Sequence, residues 1–208
     1  FVFLSIFAFH LANAPILPTV ALYVKQLGGS DNLMTATVLT AQIVMVPVAL
    51  AAGRLCDSWG RRPVMAVAFL VLPVRILSYA LVSTPSAAVW LQGLDGVGAG
   101  IYGVAVVAIA ADLTRGKGHF NTLTGLFATA VAVGGVLGPL ISGVLVQRFG
   151  FRVTFHAFAA LAAVGAAIFL LSVPETKPTE SGPPPDALEY RPTLIAAEQE
   201  PIYEKRIA

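Results

Sequence analysis

Arg75 and Asp95 stand inside long apolar runs, where a charge is costly and marks a functional site unless a partner neutralises it. The arginine lies about seven residues before the end of its run, and the aspartate about nine residues after the start of the next. Consecutive runs crossing in opposite directions place the two at similar depth, so an Arg75–Asp95 ion pair is expected. Such a pair neutralises two expensive charges, and its carboxylate is also a group that can bind and release a proton. His10 and Asn13 are three residues apart, on one helical face, with Pro15 and Pro18 interrupting the run just beyond. The competing reading for each such polar group is an interhelical hydrogen bond.

Other kinds of chemistry find no residues to carry them. The sequence has no Ser/His/Asp set, no metal-ligand cluster and no nucleotide loop, so no catalytic residue, metal or cofactor is assigned and an enzyme is not expected. Gly96, Gly98 and Gly100 follow no strand and lie within an apolar run, so they are no dinucleotide fingerprint. The single cysteine, Cys56, excludes an intrachain disulfide and reads as a small filler. A net charge of +2, with the basic residues gathered in short breaks, gives no support to nucleic-acid binding.

The elements that hold these residues follow from composition. Of 208 residues 57% are hydrophobic and only 12% charged, with a mean hydropathy of +0.81. A globular core of this size cannot hide so much apolar surface, so lipid is the solvent for much of the chain. Seven of the eleven acids and seven of the fourteen prolines come after Val173. The chain thus divides into an apolar body, 1–173, and a polar tail, 174–208, too poor in large apolar residues to offset ordering entropy and expected to be disordered.

A membrane helix needs about 20 apolar residues. Runs of that kind, separated by Gly, Pro and charge, fall at 1–24, 33–53, 63–82, 86–112, 122–146 and 152–173. The fold class is therefore an all-α membrane protein, a six-transmembrane-helix bundle. Alternating helices put Arg54, Arg61, Arg62, Arg115 and Lys117 on one side with the tail, and Lys25, Arg148 and Arg152 on the other. The positive-inside rule assigns the first side, with breaks 54–62 and 113–121, to the cytoplasm. The chain opens on Phe1 without a basic n-region or cleavage site, so the opening run does not read as a signal peptide but as the start of a membrane helix.

The break Gly53-Arg54-Leu55-Cys56-Asp57-Ser58-Trp59-Gly60-Arg61-Arg62-Pro63 resembles the signature of the major facilitator superfamily, a Gly, an Asp four residues on, then Gly-Arg-Arg, between the second and third helices of a six-helix repeat. Its residues suit a tight turn at Gly53 and Gly60, an Asp57–Arg61 contact across one helical turn, and an unopposed first-turn proline at Pro63. Further stretches resemble the same family in the same order: Gln92-Gly93-Leu94-Asp95-Gly96-Val97-Gly98-Ala99-Gly100 its Gly-rich fourth or tenth span, Gly134-Gly135-Val136-Leu137-Gly138-Pro139 the Gly-Pro motif of antiporters, and Pro174-Glu175-Thr176-Lys177 the end of its sixth or twelfth span. The first of these departs from the family pattern, with Gln92 and Asp95 standing where an Arg precedes Gln-Gly. Gly96 with Gly100 and Gly134 with Gly138 suit close helix packing in lipid, and Pro139 suits a kink.

The resemblance implies one major facilitator repeat in a plasma membrane, working by alternating access on a small-molecule substrate. It implies that the first and fourth helices line a central cavity, making His10, Asn13, Asp95 and Tyr102 candidates, with Gln42, mid-span in the second helix, as another. It also implies that Asp57 and Arg61 latch two halves on the cytoplasmic side. The segments His10-Leu-Ala-Asn-Ala14 and Ala111-Asp-Leu-Thr-Arg-Gly116, with the polar tail, look most like a second half, whose partner would be a missing N-terminal six-helix half. A first half whose tail is the central linker, and a non-transporting six-helix interaction or sensor protein, are the alternatives.

Overall fold

Hydrocarbon offers no partner to a backbone N–H or C=O, so a chain this apolar has to satisfy both inside helices. The computed structural model, which describes residues 1–178, consists of helices and short turns, with no strand among the described residues. Residues 179–208, most of the tail expected to be disordered, lie outside the described residues.

Seven helical elements follow one another: α1 (Val2–Asn13), α2 (Ile16–Gln26), α3 (Asp31–Trp59), α4 (Arg61–Leu81), α5 (Pro85–Leu91), α6 (Gly93–Thr114) and α7 (Phe120–Ser172). Five stretches are long and apolar enough to cross a membrane: Val2–Gln26, Asp31–Trp59, Arg61–Leu81, Pro85–Thr114 and Phe120–Ser172. The last has 53 residues, about 80 Å of helix against a hydrocarbon core of about 30 Å. Gly150 divides it, with φ 79° and ψ 173°, into limbs that are each long enough to span.

The breaks are tighter than the sequence suggests. Residues 147–152, expected as a connection, are helical apart from Gly150. The expected connection 54–62 shrinks to Gly60, because α3 continues to Trp59 and α4 starts at Arg61. Cys56, expected in a loop, is therefore buried in the last turns of α3. One positive-φ glycine reverses the chain where a polar run suggested a loop, since glycine alone takes that conformation without a Cβ penalty. Conversely, the first and fourth runs are each split, between Asn13 and Ile16 and at Gln92. Backbone angles stay helical through Pro139, where a kink is expected, and the one departure within α7 is at Gly150.

Helix α1 packs on α7, α3 on α6, and α4 on both α6 and α7. Between apolar helices in an apolar solvent, attraction comes from close packing rather than from burial. Small residues set the distance of approach. A Cβ on Gly100 would come 2.8 Å from the Met45 carbonyl oxygen, and one on Gly96 would strike that of Ala41. Gly134 and Gly138 do the same for α1, where a Cβ would meet the backbone of Leu11 at 2.7 and 2.6 Å. Large side chains fill the centre, with Phe69 and Phe169 stacked at 4.4 Å and Tyr79 against Phe155 at 5.5 Å.

Gly96→Ala is expected to destabilise the bundle by about 1–3 kcal/mol, the usual range for overpacking. Gly98→Ala is the matched control, because a Cβ there meets nothing within 4 Å. Thermal unfolding of the two variants in detergent compares them directly.

Candidate functional site

Two clusters of polar side chains break the apolar body. The first is buried and is built from helix interruptions. Asn13 is the last residue of α1, just before the two-residue interruption at Ala14 and Pro15. Asp95 lies in the first turn of α6, directly after the break at Gln92, where the positive end of the helix dipole favours a carboxylate. Between them α4 presents Arg75, only 2% exposed. Its Nη1 donates to Asp95 Oδ1, and its Nη2 donates to Asn13 Oδ1 at 2.6 Å. The aspartate side chain is 20% exposed against 3% for the arginine, so the pair is open on the carboxylate side. A void of about 10 Å³ beside Phe9, Asn13, Leu72, Arg75 and Asp95 has about the room that one water molecule needs.

Several buried polar atoms around this cluster have no partner among the described residues: Arg75 Nε, the Tyr79 hydroxyl, His10 Nε2, and both ends of the Gln92 amide. Gln92 is only 1% exposed, and the sequence offered it as part of a motif rather than as a buried polar group. His10 stands edge-on to Tyr102 at 4.8 Å, and Tyr102 stacks on Phe9 at 5.2 Å. The candidates His10, Asn13, Asp95 and Tyr102 thus occupy the neighbouring helices α1 and α6. Gln42 is exposed on α3 and touches none of the cavities described here. An open, apolar cavity of about 190 Å³ continues from Tyr102 along Val106, Phe127 and Val131. Another, of about 210 Å³, lies beside Pro15, Pro18 and Pro139, where the buried hydroxyls of Thr19 and Ser142 pair at 2.8 Å.

The second cluster lies at the end of the bundle where α3 turns into α4. Gly60, at φ 110°, ends one helix and starts the next, and a Cβ on it would meet Glu175 Oε2 at 2.5 Å. That space admits the Glu175 carboxylate to the start of α4, where it accepts from the backbone N–H of Arg61 at 2.9 Å and of Arg62 at 3.1 Å. It also accepts from the N–H groups of Thr176 and Lys177. Burial by itself would raise the Glu175 carboxyl, but these backbone donors outweigh it and hold the group below its usual value. Lys177 Nζ adds a bond to the Ser58 carbonyl at 3.0 Å, and Arg62 Nη2 one to that of Leu170 at 2.7 Å. Residues 174–177 of the expected tail therefore belong with the bundle.

Arg61 joins this turn to α6. Its Nε donates to Asp112 Oδ2 at 2.8 Å, and its Nη1 to the Cys56 carbonyl at 2.9 Å. Asp57 is 3.5 Å from Nη1 but 80% exposed, and it reaches Arg61 across the Gly60 turn rather than along one helix. Asp112, 4% exposed, is the tighter partner, and Arg115 reaches its other oxygen at 3.4 Å. Gly53 and Arg54 lie back along α3, with Arg54 exposed. Asp112 and Glu175 were read from the sequence only as members of family-like stretches, not as partners of Arg61. The signal that could have found them is their place at the same end of the body as Arg61 and Arg62.

Apolar helices of membrane-crossing length around a buried charge pair define an integral, multi-pass membrane protein. The Major Facilitator Superfamily profile matches residues 2–203, and the chain belongs to that family. An uncharacterised major-facilitator-type transporter of Mycobacterium tuberculosis (strain H37Rv) is 38% identical over 194 residues, covering 91% of this chain and 45% of the relative. The multi-drug resistance efflux pump PmrA of Streptococcus pneumoniae is 28% identical over 162 residues, covering 76% of this chain and 39% of the relative. Among solved structures, the peptide transporter POT in complex with alafosfalin shares the fold, with TM-score 0.68 and 17% identity over 94% of this chain and 44% of that one. The chain spans less than half the length of the relatives it matches.

Removing one partner of a buried ion pair leaves an uncompensated charge. Asp95→Leu is expected to destabilise the bundle by about 3–5 kcal/mol, and Arg75→Leu combined with it to recover most of that loss. Thermal unfolding of the two single variants and the double variant reads the coupling. For Glu175 the sign follows from its lowered carboxyl. Its contribution is present above about pH 4.3, the ordinary glutamate value, and fades as pH falls through the lower folded value. The difference in unfolding midpoint between the parent chain and Glu175→Ala is therefore expected to be constant near neutrality and to close in acid.

Proposed function

We propose that the chain is half of a secondary active transporter that moves a small solute by alternating access, with the other six-helix half supplied by the preceding part of a longer protein. The observation that carries this reading is the buried Asn13–Arg75–Asp95 cluster. A charged group at membrane depth is expensive and is retained where a pathway or a coupling step needs it. Family membership and the length of the relatives, more than twice the matched part, support the half-transporter reading.

In this reading α1 and α6 face the central cavity and carry His10, Asn13, Asp95 and Tyr102. Asp95, the more exposed member of its pair, is the group that exchanges a proton with the cavity. Protonation neutralises the carboxylate, loosens its hold on Arg75 and so links solute movement to a proton gradient. The turn held by Arg61, Asp112 and Glu175 is the cytoplasmic latch, with exposed Asp57 turned to the missing half. The positive-inside rule supports that sidedness, because Arg54, Arg61, Arg62, Arg115 and Lys117 all lie towards this end. The apolar cavity beside Tyr102 and Phe127, and the drug-efflux name of the streptococcal relative, favour an apolar or amphipathic solute moved outward.

The full-length protein in proteoliposomes tests this reading. Asp95→Asn, which keeps the shape and a hydrogen-bond acceptor, is expected to insert normally and to abolish proton-driven flux. Undiminished flux would remove Asp95 from the cycle, and robust flux by residues 1–208 alone would overturn the half-transporter reading.

A further inference from the structure

We infer that the bundle carries a binding site for one anionic phospholipid, in the groove between α4 and the second limb of α7. The groove has a volume of about 360 Å³ and is lined by Val74 and Leu77 of α4 and by His156, Ala160 and Ala163 of α7. Alanines on the α7 side keep the floor low, and Val74 and Leu77 are 61% and 43% exposed. A trough of this kind, apolar along its length, has the section of an acyl chain.

Position gives the groove its solvent. At 100° per residue, Pro73, Val74 and Leu77 occupy the face of α4 opposite to the one that buries Arg75, Ile76 and Tyr79. The groove therefore looks away from the polar cluster and from the cavity beside Tyr102. Depth gives it polarity at one end only. His156 lies about 9 Å of helix beyond the Gly150 break, and Leu77 about 6 Å before the end of α4, so both stand towards the same end of the bundle. Ala160 and Ala163 lie deeper, among the acyl chains.

Charge then selects the lipid. Arg152 is exposed one helical turn before His156, on the same face of α7. The imidazole is already oriented, with Nδ1 2.7 Å from the Arg152 carbonyl. A carbonyl can only accept, so Nδ1 carries a proton; in that tautomer Nε2 is an acceptor with nothing to donate to a phosphate oxygen, and the positive charge at this end of the groove is that of Arg152. No carboxylate lines the groove among the described residues. A guanidinium at the headgroup end of an apolar trough matches a phosphate ester with a fatty tail, and an arginine holds phosphate oxygens as a two-pronged donor. A zwitterionic lipid brings its own cation to the same place and gains less.

The full chain in mixed micelles or nanodiscs, examined by native mass spectrometry, tests the site. With phosphatidylglycerol and phosphatidylcholine supplied in equal amounts, one phosphatidylglycerol is expected to stay bound after mild delipidation, in at least tenfold preference. Arg152→Gln, at an exposed position, is expected to remove the preference. Ala163→Leu, which fills the trough from an exposed position, is expected to lower retention of both lipids and leave the unfolding midpoint in lipid-free detergent unchanged. Equal retention of the two lipids by the parent chain, or a preference unmoved by Arg152→Gln, would overturn the inference. Retention of inorganic phosphate in competition with the lipid would mean that the trough contributes nothing, and would overturn it equally. Solute flux is not read in any arm, so failure here is distinct from failure of the transport reading.

Discussion

Arg75 carries a charge that hydrocarbon will not solvate, and no single helix can satisfy it. Its two acceptors come from α1 and α6, so three helices have to meet at one depth before the guanidinium is compensated. Much of the remaining architecture serves that meeting. The interruptions after Asn13 and at Gln92 lie beside the two side chains whose oxygens reach α4. The glycines on α6 and α7 let α3 and α1 approach closely enough for the bundle to close around the pair. Packing alone would tolerate many registers between apolar helices, because one apolar face resembles another. A buried ion pair tolerates one, and in lipid it contributes to specificity more than to stability.

The cluster at the α3–α4 turn obeys the opposite economy. It sits at the end of the bundle, where water competes for every donor, and its exposed contact through Asp57 adds little on its own. Its order comes instead from groups shielded by the turn. Asp112 is almost fully covered, and Glu175 is held by backbone N–H groups that have no partner within α4. The single-residue turn makes this arrangement possible. A longer connection would move Arg61 out of reach of Asp112 and open the space that Glu175 fills.

How much of this the sequence discloses depends on the range of the interaction concerned. Helical class, the approximate spans and the Gly53–Pro63 motif are local or compositional, and they are legible in a single chain. Arg75 and Asp95 are legible too, because a charge in an apolar run announces itself and the antiparallel order of helices supplies its depth. Asn13 as the second acceptor of Arg75 is not, since nothing in the spacing relates residue 13 to residue 75. Asp112 and Glu175 escape for the same reason: their partner, Arg61, is 51 and 114 residues away. The lengths of the breaks are misjudged because polar residues were read as loop, whereas helix caps and positive-φ glycines reverse the chain in one or two residues.

The two clusters differ in what it takes to break them, and that difference bears on how such a bundle could work. Separating Arg75 from Asp95 strands a charge in a dry site, so the pair opens only when a proton neutralises the carboxylate or another group replaces it. Separating Asp57 from Arg61 exposes groups that water accepts at once. If two halves rock against each other, the end of the bundle is where contact can be made and lost cheaply, and the middle is where the change must be gated. In the proposed transport cycle the labour is divided by dielectric. A wet, weak network suits a latch, a dry and partly open pair suits the step that decides when the latch is released, and the α4 face turned away from both is left to the lipid.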